Sequence, residues 1–184
     1  MKKTFIILIM LTAFIALFGF NNIDARNSPT PANSANQSSL VKSSSDNQKA
    51  PAFSLRSING KNVSLSDFKG KIVIVDFWAT WCPPCRKSIP DLIELQKKYK
   101  NKIAVIGISV DMDTKAEVAP FVKHSGINYT ILYATPEVIQ AYGNINAIPT
   151  SFIIDKHGDI AAQYVGLTDK EIYIKEIKKL LEKS

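Results

Sequence analysis

Apolar residues fall along this chain in short runs separated by turn-forming residues, and the spacing within each run assigns an element. Residues 4–20 are almost wholly apolar behind Lys2 and Lys3. Residues 27–49 are the opposite, rich in Ser, Asn, Pro, Gln and Ala with almost no large apolar side chain. Such a stretch buries too little surface to order itself and reads as a disordered linker, 26–49. Alternation begins beyond it. Strands at 52–57 and 62–65 flank Asn59-Gly60, a strong hairpin signal, and 66–68 makes a short turn. Residues 72–77 are a continuous β-branched run, the pattern of a strand buried on both faces. A helix over 83–99 carries Ile89, Leu92, Ile93 and Leu95 on one stripe, with Pro90 expected to kink it. A second buried strand spans 103–110. A helix over 114–125 turns Val118, Phe121 and Val122 inward and closes at Gly126. A short strand at 131–133 and a short helix at 136–142 follow. Strands at 151–154 and 160–165 are joined by Lys156-His157-Gly158-Asp159. The closing helix, 169–183, has Ile172, Ile174, Ile177, Leu180 and Leu181 as its apolar positions. Hairpin, then βαβαβαββα, predicts an α/β sandwich whose mostly parallel sheet ends in an antiparallel hairpin. Residues 50–184 suffice for one domain.

Charge changes this picture little. Lys and Arg number 23 against 16 Asp and Glu, a net charge of +7. The lysines are dispersed, with small groups at Lys97, Lys98, Lys100, Lys102 and at Lys175, Lys178, Lys179 on expected helix surfaces. They read as a solvated face. Weak attraction to an anionic membrane is compatible with the charge and not required by it. No dense basic run interleaves with aromatics, so no nucleic-acid partner is expected. Residues 1–25 combine a positive start, an apolar run and Ala25 at a plausible cleavage point. They are either a cleaved export signal or a retained membrane anchor. Both readings put the folded part outside the cytoplasm, in the periplasm or on the outer face of the membrane.

The chain holds two cysteines, Cys82 and Cys85, in Trp81-Cys82-Pro83-Pro84-Cys85. A Cys-x-x-Cys pair where a strand passes into a helix is the sequence form of a redox site. Unpaired N–H groups and the macrodipole at a helix N-terminus favour a thiolate. Cys82 is therefore expected to be the exposed nucleophile and Cys85 the buried resolving thiol. Pro83 and Pro84 have no N–H, so two potential thiolate donors are missing. No histidine lies between the cysteines. Both absences argue against a strongly depressed thiol pKa of the kind found in strong oxidants, about 3.5, and for a reducing couple. Asp76 is the one acid inside an apolar strand; buried there, its pKa should rise. A structural zinc site needs four ligands, and only His124 and His157 remain to supply them. Neither metal nor organic cofactor is expected. A disulfide closing so short a loop would add little stability, which weakens a purely structural reading.

Residues 75–86 resemble the active-site segment of the thioredoxin superfamily, in particular its TlpA/ResA-like extracytoplasmic thiol-disulfide oxidoreductases. Ile148-Pro149-Thr150, with Phe152 to Asp155 and Gly158, is similar to that branch's cis-proline loop, strand and hairpin. The early hairpin and an insertion over 111–142 resemble it too. The likeness covers residues 50–184. It implies a thioredoxin fold: a central mixed sheet flanked by helices, with an added N-terminal hairpin and an insertion before the cis-proline loop. It implies a cis Ile148–Pro149 bond beside the cysteines, where backbone pairs with an extended substrate. Trp81, Pro83, Pro84, Ile148 and Pro149 are then substrate-binding residues. Catalysis falls to Cys82, Cys85 and Asp76; the last matches the thioredoxin acid that assists proton removal from the resolving cysteine, at a position where many TlpA/ResA-like members carry an amide or another residue. The pattern departs at Ser88, Pro83 and Pro84, near which relatives often carry an acid. The implied activity is reduction of exported protein disulfides, with cytochrome c maturation as one outlet. The alternatives are a disulfide-forming oxidant or a thioredoxin-fold peroxidase, although Thr80 stands too close to Cys82 for the usual peroxidase pattern. Expected partners are disulfide-containing proteins and a membrane electron donor, and the chain is expected to be monomeric.

Overall fold

The computed structural model describes residues 48–183. Strands β1 (Ser54–Arg56) and β2 (Asn62–Ser64) form a separate antiparallel pair, followed by a 3₁₀ turn at Leu65–Phe68. Then come β3 (Ile72–Trp78), α1 (Pro83–Lys98), β4 (Ile103–Ser109), α2 (Lys115–His124), β5 (Thr130–Tyr133) and α3 (Pro136–Ala141). β6 (Thr150–Ile154), β7 (Ile160–Val165) and α4 (Lys170–Glu182) complete the domain. The main sheet runs β5-β4-β3-β6-β7. β3, β4 and β5 are parallel, while β6 and β7 are antiparallel to their neighbours. This is the mixed sheet of a thioredoxin fold with an N-terminal hairpin added. The segment over 111–142 supplies β5, so it extends the sheet rather than merely decorating it.

β3 and β4 are buried at every position, which explains their unbroken apolar runs. Side chains alternate between the two faces. Val73, Val75 and Phe77 meet Phe53, Tyr142 and Phe152 on one face. Ile72 and Ile74 meet Leu92, Leu95, Tyr173 and Ile177 on the other. The early hairpin is fastened to the sheet edge, since Ile58 donates its N–H to the Ile131 carbonyl at 3.1 Å and Ser57 bridges Leu132. Its turn uses Gly60 at φ +77°, a conformation that costs glycine least.

Three expectations need adjusting. The ordered chain starts before residue 50: Lys49 bridges Asp159, and the Gln48 carbonyl accepts from Ile160 N–H at 2.8 Å. Backbone pairing to the β6–β7 turn region orders these two residues despite their polar character. The rest of the linker and residues 1–25 lie outside the described residues. In α4 the buried set is Tyr173, Ile174 and Ile177, because the Tyr173 hydroxyl finds Ser151 Oγ at 2.8 Å, while Ile172 is only half-buried. In α2, Phe121 is half-buried and stacks on Trp78 at 5.6 Å. Among the described residues, no helix is long and apolar enough to cross a membrane.

Gly107 shows how closely the redox face is packed. A Cβ there would lie 2.7 Å from Ile131 Cδ1 and 2.9 Å from Trp78 Nε1. Gly107→Ala must displace the buried indole. It should cost about 1–3 kcal/mol and change Trp78 fluorescence, as denaturant melts monitored by emission would show. An unchanged midpoint and spectrum would contradict this packing.

Candidate active site

β3 delivers the chain to the site, and Cys82 is the N-cap of α1. Pro83 and Pro84 occupy the first helical positions, where a missing N–H costs the helix nothing. Arg86 N–H donates to the Cys82 carbonyl at 3.1 Å, closing the first turn. Cys85 N–H points at Cys82 Sγ, 3.3 Å away. With the prolines occupying the two preceding positions, that is the N–H the helix end presents to this sulfur. The cysteines form a disulfide with Cα atoms 5.3 Å apart.

Cys82 is less open than its sequence position suggested. It is 3% exposed and Cys85 0%. The covering comes from distant sequence: the Ile148 carbonyl lies 3.8 Å from Cys82 Sγ, and the Ile148–Pro149 peptide is cis. Pro149 is buried, Ile148 half-buried, and Thr150 Oγ1 holds the turn by donating to the Ala147 carbonyl at 2.8 Å. Gly166 N–H takes the Pro149 carbonyl at 2.7 Å. The Ile148 N–H has no partner among the described residues. Trp81, by contrast, is 61% exposed, with Pro83 exposed and Pro84 half-exposed beside it. The structure thus brings Cys82, Cys85 and Ile148–Pro149 together, flanked by Trp81, Pro83 and Pro84. Arg86 is exposed and lies over the Phe121 ring at 5.6 Å.

Asp76 sits deep in β3, between Gly107 of β4 and Ser151 of β6. Its position in the strand shares a face with Trp78 and Ile74, and that face is the one covered by α1 and α4. Asp76 Oδ1 and Trp78 Nε1 are buried without a hydrogen-bond partner. Burial pushes the Asp76 carboxyl up to about 8. Burial also raises the Tyr129 and Tyr173 hydroxyls, and the Asp76 charge adds to both shifts.

Asp111 was not singled out by the sequence, and it organises the loop before Cys82. Buried at the end of β4, it accepts Thr80 N–H at 3.2 and 3.0 Å on its two oxygens. It also bonds the hydroxyls of Thr80, Ser109 (2.8 Å) and Thr114 (2.7 Å). The signal available was Ser109-x-Asp111-x-x-Thr114 directly after a buried strand. Nothing local revealed that it reaches Thr80, 31 residues earlier.

Fold and site together define a thiol-disulfide oxidoreductase of the thioredoxin superfamily. The pattern of the AhpC/TSA family matches residues 47–163, and the chain belongs to that family. It is 38% identical over 130 residues to the thioredoxin-like protein YneN of Bacillus subtilis, 69% of this chain and 76% of that one. It is 38% identical over 135 residues to the thiol-disulfide oxidoreductase ResA of Bacillus thuringiensis, 72% of this chain and 77% of that one. Among solved structures, a thiol:disulfide interchange protein of the thioredoxin family from Chlorobium tepidum aligns at TM-score 0.68 and 38% identity. That alignment covers 75% of this chain and 99% of the other. StoA from Bacillus subtilis aligns at TM-score 0.60 and 26% identity, over 70% and 97%.

Two outcomes follow. The unfolded chain releases the Asp76 proton near 3.8 and the folded one near 8. Between those values the folded state holds more protons, so stability falls as pH rises through this window and levels off above it. Asp76→Asn removes this loss. Denaturant melts of the disulfide-bonded protein should find it more stable by about 4 kcal/mol at pH 7, with the Asp76 contribution to the slope between pH 4 and 8 gone. A variant retaining the parent slope would refute the assignment. Asp111→Ala strands Thr80 N–H in a buried loop and should cost about 2–4 kcal/mol. It should also slow disulfide exchange, measured by insulin reduction; parental stability and rate would show that the loop holds itself.

Proposed function

We propose that the Cys82–Cys85 pair reduces disulfides in proteins outside the cytoplasm. The observation that carries this reading is the helix end. With prolines at its first positions, the Cys85 N–H is left to steady a Cys82 thiolate. Each absent charge-assisted bond is worth about 1.5 kcal/mol, roughly one pK unit. A weakly stabilised thiolate makes the dithiol a stronger reductant.

In the proposed cycle the Cys82 thiolate attacks one sulfur of a substrate disulfide. The substrate S–S bond breaks and a mixed disulfide forms, releasing the first substrate thiolate to take up a proton. Cys85 then loses its proton and attacks Cys82 Sγ, freeing the second substrate thiolate. Two electrons pass to the substrate, and the pair closes as the disulfide seen here. Asp76 is our candidate acceptor for the Cys85 proton; its raised pKa, about 8, lies close to that of a thiol, so its ionised fraction can take that proton. The unpaired Ile148 N–H supports recognition of an extended segment by backbone pairing, with Pro149 fixing the loop and Trp81, Pro83 and Pro84 forming the wall.

The family likeness supports an exported location, with residues 1–25 as signal or anchor, and a membrane thiol-disulfide donor that re-reduces the pair. The protein's substrates on this reading are cysteine pairs of exported proteins, apocytochrome c among them. Thiol-disulfide exchange of this kind needs no cofactor, and the reading takes the working unit to be a monomer.

Trapping tests the chemistry. Cys85→Ser should accumulate mixed disulfides with protein substrates, released by dithiothreitol, whereas Cys82→Ser should form none. Equal trapping by both variants would overturn the assigned roles. Trp81→Ala should lower kcat/KM for a protein disulfide about tenfold, ~1.4 kcal/mol of transition-state contact, while leaving the redox midpoint unchanged. A shifted midpoint would mean that Trp81 acts on the sulfurs and not on the substrate.

A further inference from the structure

The lysines that look dispersed in the sequence are gathered by the fold. β3 and β4 start together, with Ile72 paired to Ile103, and run in parallel toward the redox pair. Lys71 and Lys102 immediately precede these starts, and the Lys102 carbonyl accepts Ile72 N–H at 3.2 Å. α1 runs the opposite way, from Cys82 down to this same end, where Lys100 follows its last turn. β6 also ends here, at Ile154 beside Val73, and its turn carries Lys156. Lys69 closes the 3₁₀ turn just before β3. Lys49 arrives against the β6–β7 turn, donating to the His157 carbonyl at 3.0 Å. Two neighbouring clefts of about 330 and 540 Å³ share Phe68 and Lys71; Lys49, Lys69 and Lys156 line the smaller and Lys100 the larger.

Negative charge at this end is sparser, with Asp67, Asp155 and Asp159 against the six lysines just named, and each aspartate is engaged locally. Asp159 pairs with Lys49 at 2.9 Å. Asp155 accepts the N–H groups of His157 and Asp159, both at 2.9 Å. Asp67 accepts Ser64 N–H at 2.9 Å. Lys69, Lys71, Lys100, Lys102 and Lys156 have no ion-pair partner among the described residues. The redox end, about 20 Å away along a seven-residue strand, carries mixed signs: Arg86, Lys87 and Lys115 with Asp113 and Glu117.

We infer that this basic pole docks on an anionic phospholipid surface and holds the Cys82–Cys85 face away from it. The charge complementarity is direct, since clustered lysines near a negative bilayer attract it additively within a Debye length. The chain's path agrees. Residues 1–47, with the apolar run 4–20, join the domain at Gln48, whose carbonyl is held by Ile160 N–H at this same pole. Wherever those residues lead, the basic pole is the part of the domain nearest to them along the chain. The contact is electrostatic and reversible, so the domain presents its disulfide-exchange face to soluble proteins while seated and can turn it to the membrane donor of the proposed cycle when released.

The test uses the full chain on vesicles of phosphatidylcholine alone or with phosphatidylglycerol, probed by brief amine acylation and mass spectrometry. Lys49, Lys69, Lys71, Lys100, Lys102 and Lys156 should label at least threefold less on the anionic vesicles, and 0.5 M NaCl should abolish the difference. Lys87 and Lys115, at the redox end, should label equally on both. A Lys69→Gln/Lys71→Gln/Lys102→Gln/Lys156→Gln variant should keep parental disulfide exchange and lose protection at Lys49 and Lys100. Uniform labelling on both vesicle types would overturn the inference, as would protection equally strong on neutral lipid. An acidic protein as the true partner would give the first of those patterns. The labelling does not depend on thiol chemistry, so its outcome is separate from the proposed activity.

Discussion

The site depends on one contact, the N–H of Cys85 aimed at the sulfur of Cys82 from 3.3 Å. A helix N-terminus ordinarily offers several unpaired N–H groups to whatever caps it. Here the cap is the reactive sulfur itself, and prolines stand at the next two positions. They fix the helical start while withdrawing donors from the thiolate. The sequence in this short loop therefore sets both the direction of the helix and the electrostatics of the sulfur. The cis Ile148–Pro149 loop closes over the same atom from the other side.

Two buried aspartates near this loop are treated in opposite ways. Asp111 meets N–H and hydroxyl groups from two loops, and so locks Thr80 two residues before Cys82. Asp76 has an oxygen with no partner and a carboxyl pushed up to about 8. The first arrangement gives rigidity, since a satisfied buried network specifies one geometry. The second is costly to the folded state at neutral pH, and such a cost is typical of a functional group. The Trp78 indole, stacked on Phe121 and lying over Gly107, seals this face of the sheet.

Much of this was readable from the chain. The unbroken β-branched runs located β3 and β4 because both strands are buried on both faces. The Cys-x-x-Cys spacing located the site, and Asp76 stood out as a lone acid in an apolar run. What escaped reading involves partners distant in sequence. The Ile148 loop, 66 residues after Cys82, was placed beside the cysteines by family resemblance alone, and that it buries Cys82 was not foreseen. Asp111 looked like a loop residue because its partner Thr80 lies in another loop. Tyr173 is buried through a hydroxyl bond to Ser151 that no helical period announces. The basic pole is assembled from segments that each looked like an ordinary solvated surface. Local pattern encodes burial and period; it does not encode which loops meet.

The central claim is that the stripped helix end leaves a weakly stabilised Cys82 thiolate and hence a reducing pair. Its most direct test is the redox midpoint of the protein in thiol–disulfide buffers, followed by the fluorescence of Trp78 and Trp81. The account predicts a midpoint below about −220 mV, toward the value of thioredoxin. A midpoint near about −120 mV, the range of strong disulfide-forming oxidants, would contradict it and make this protein a donor of disulfides.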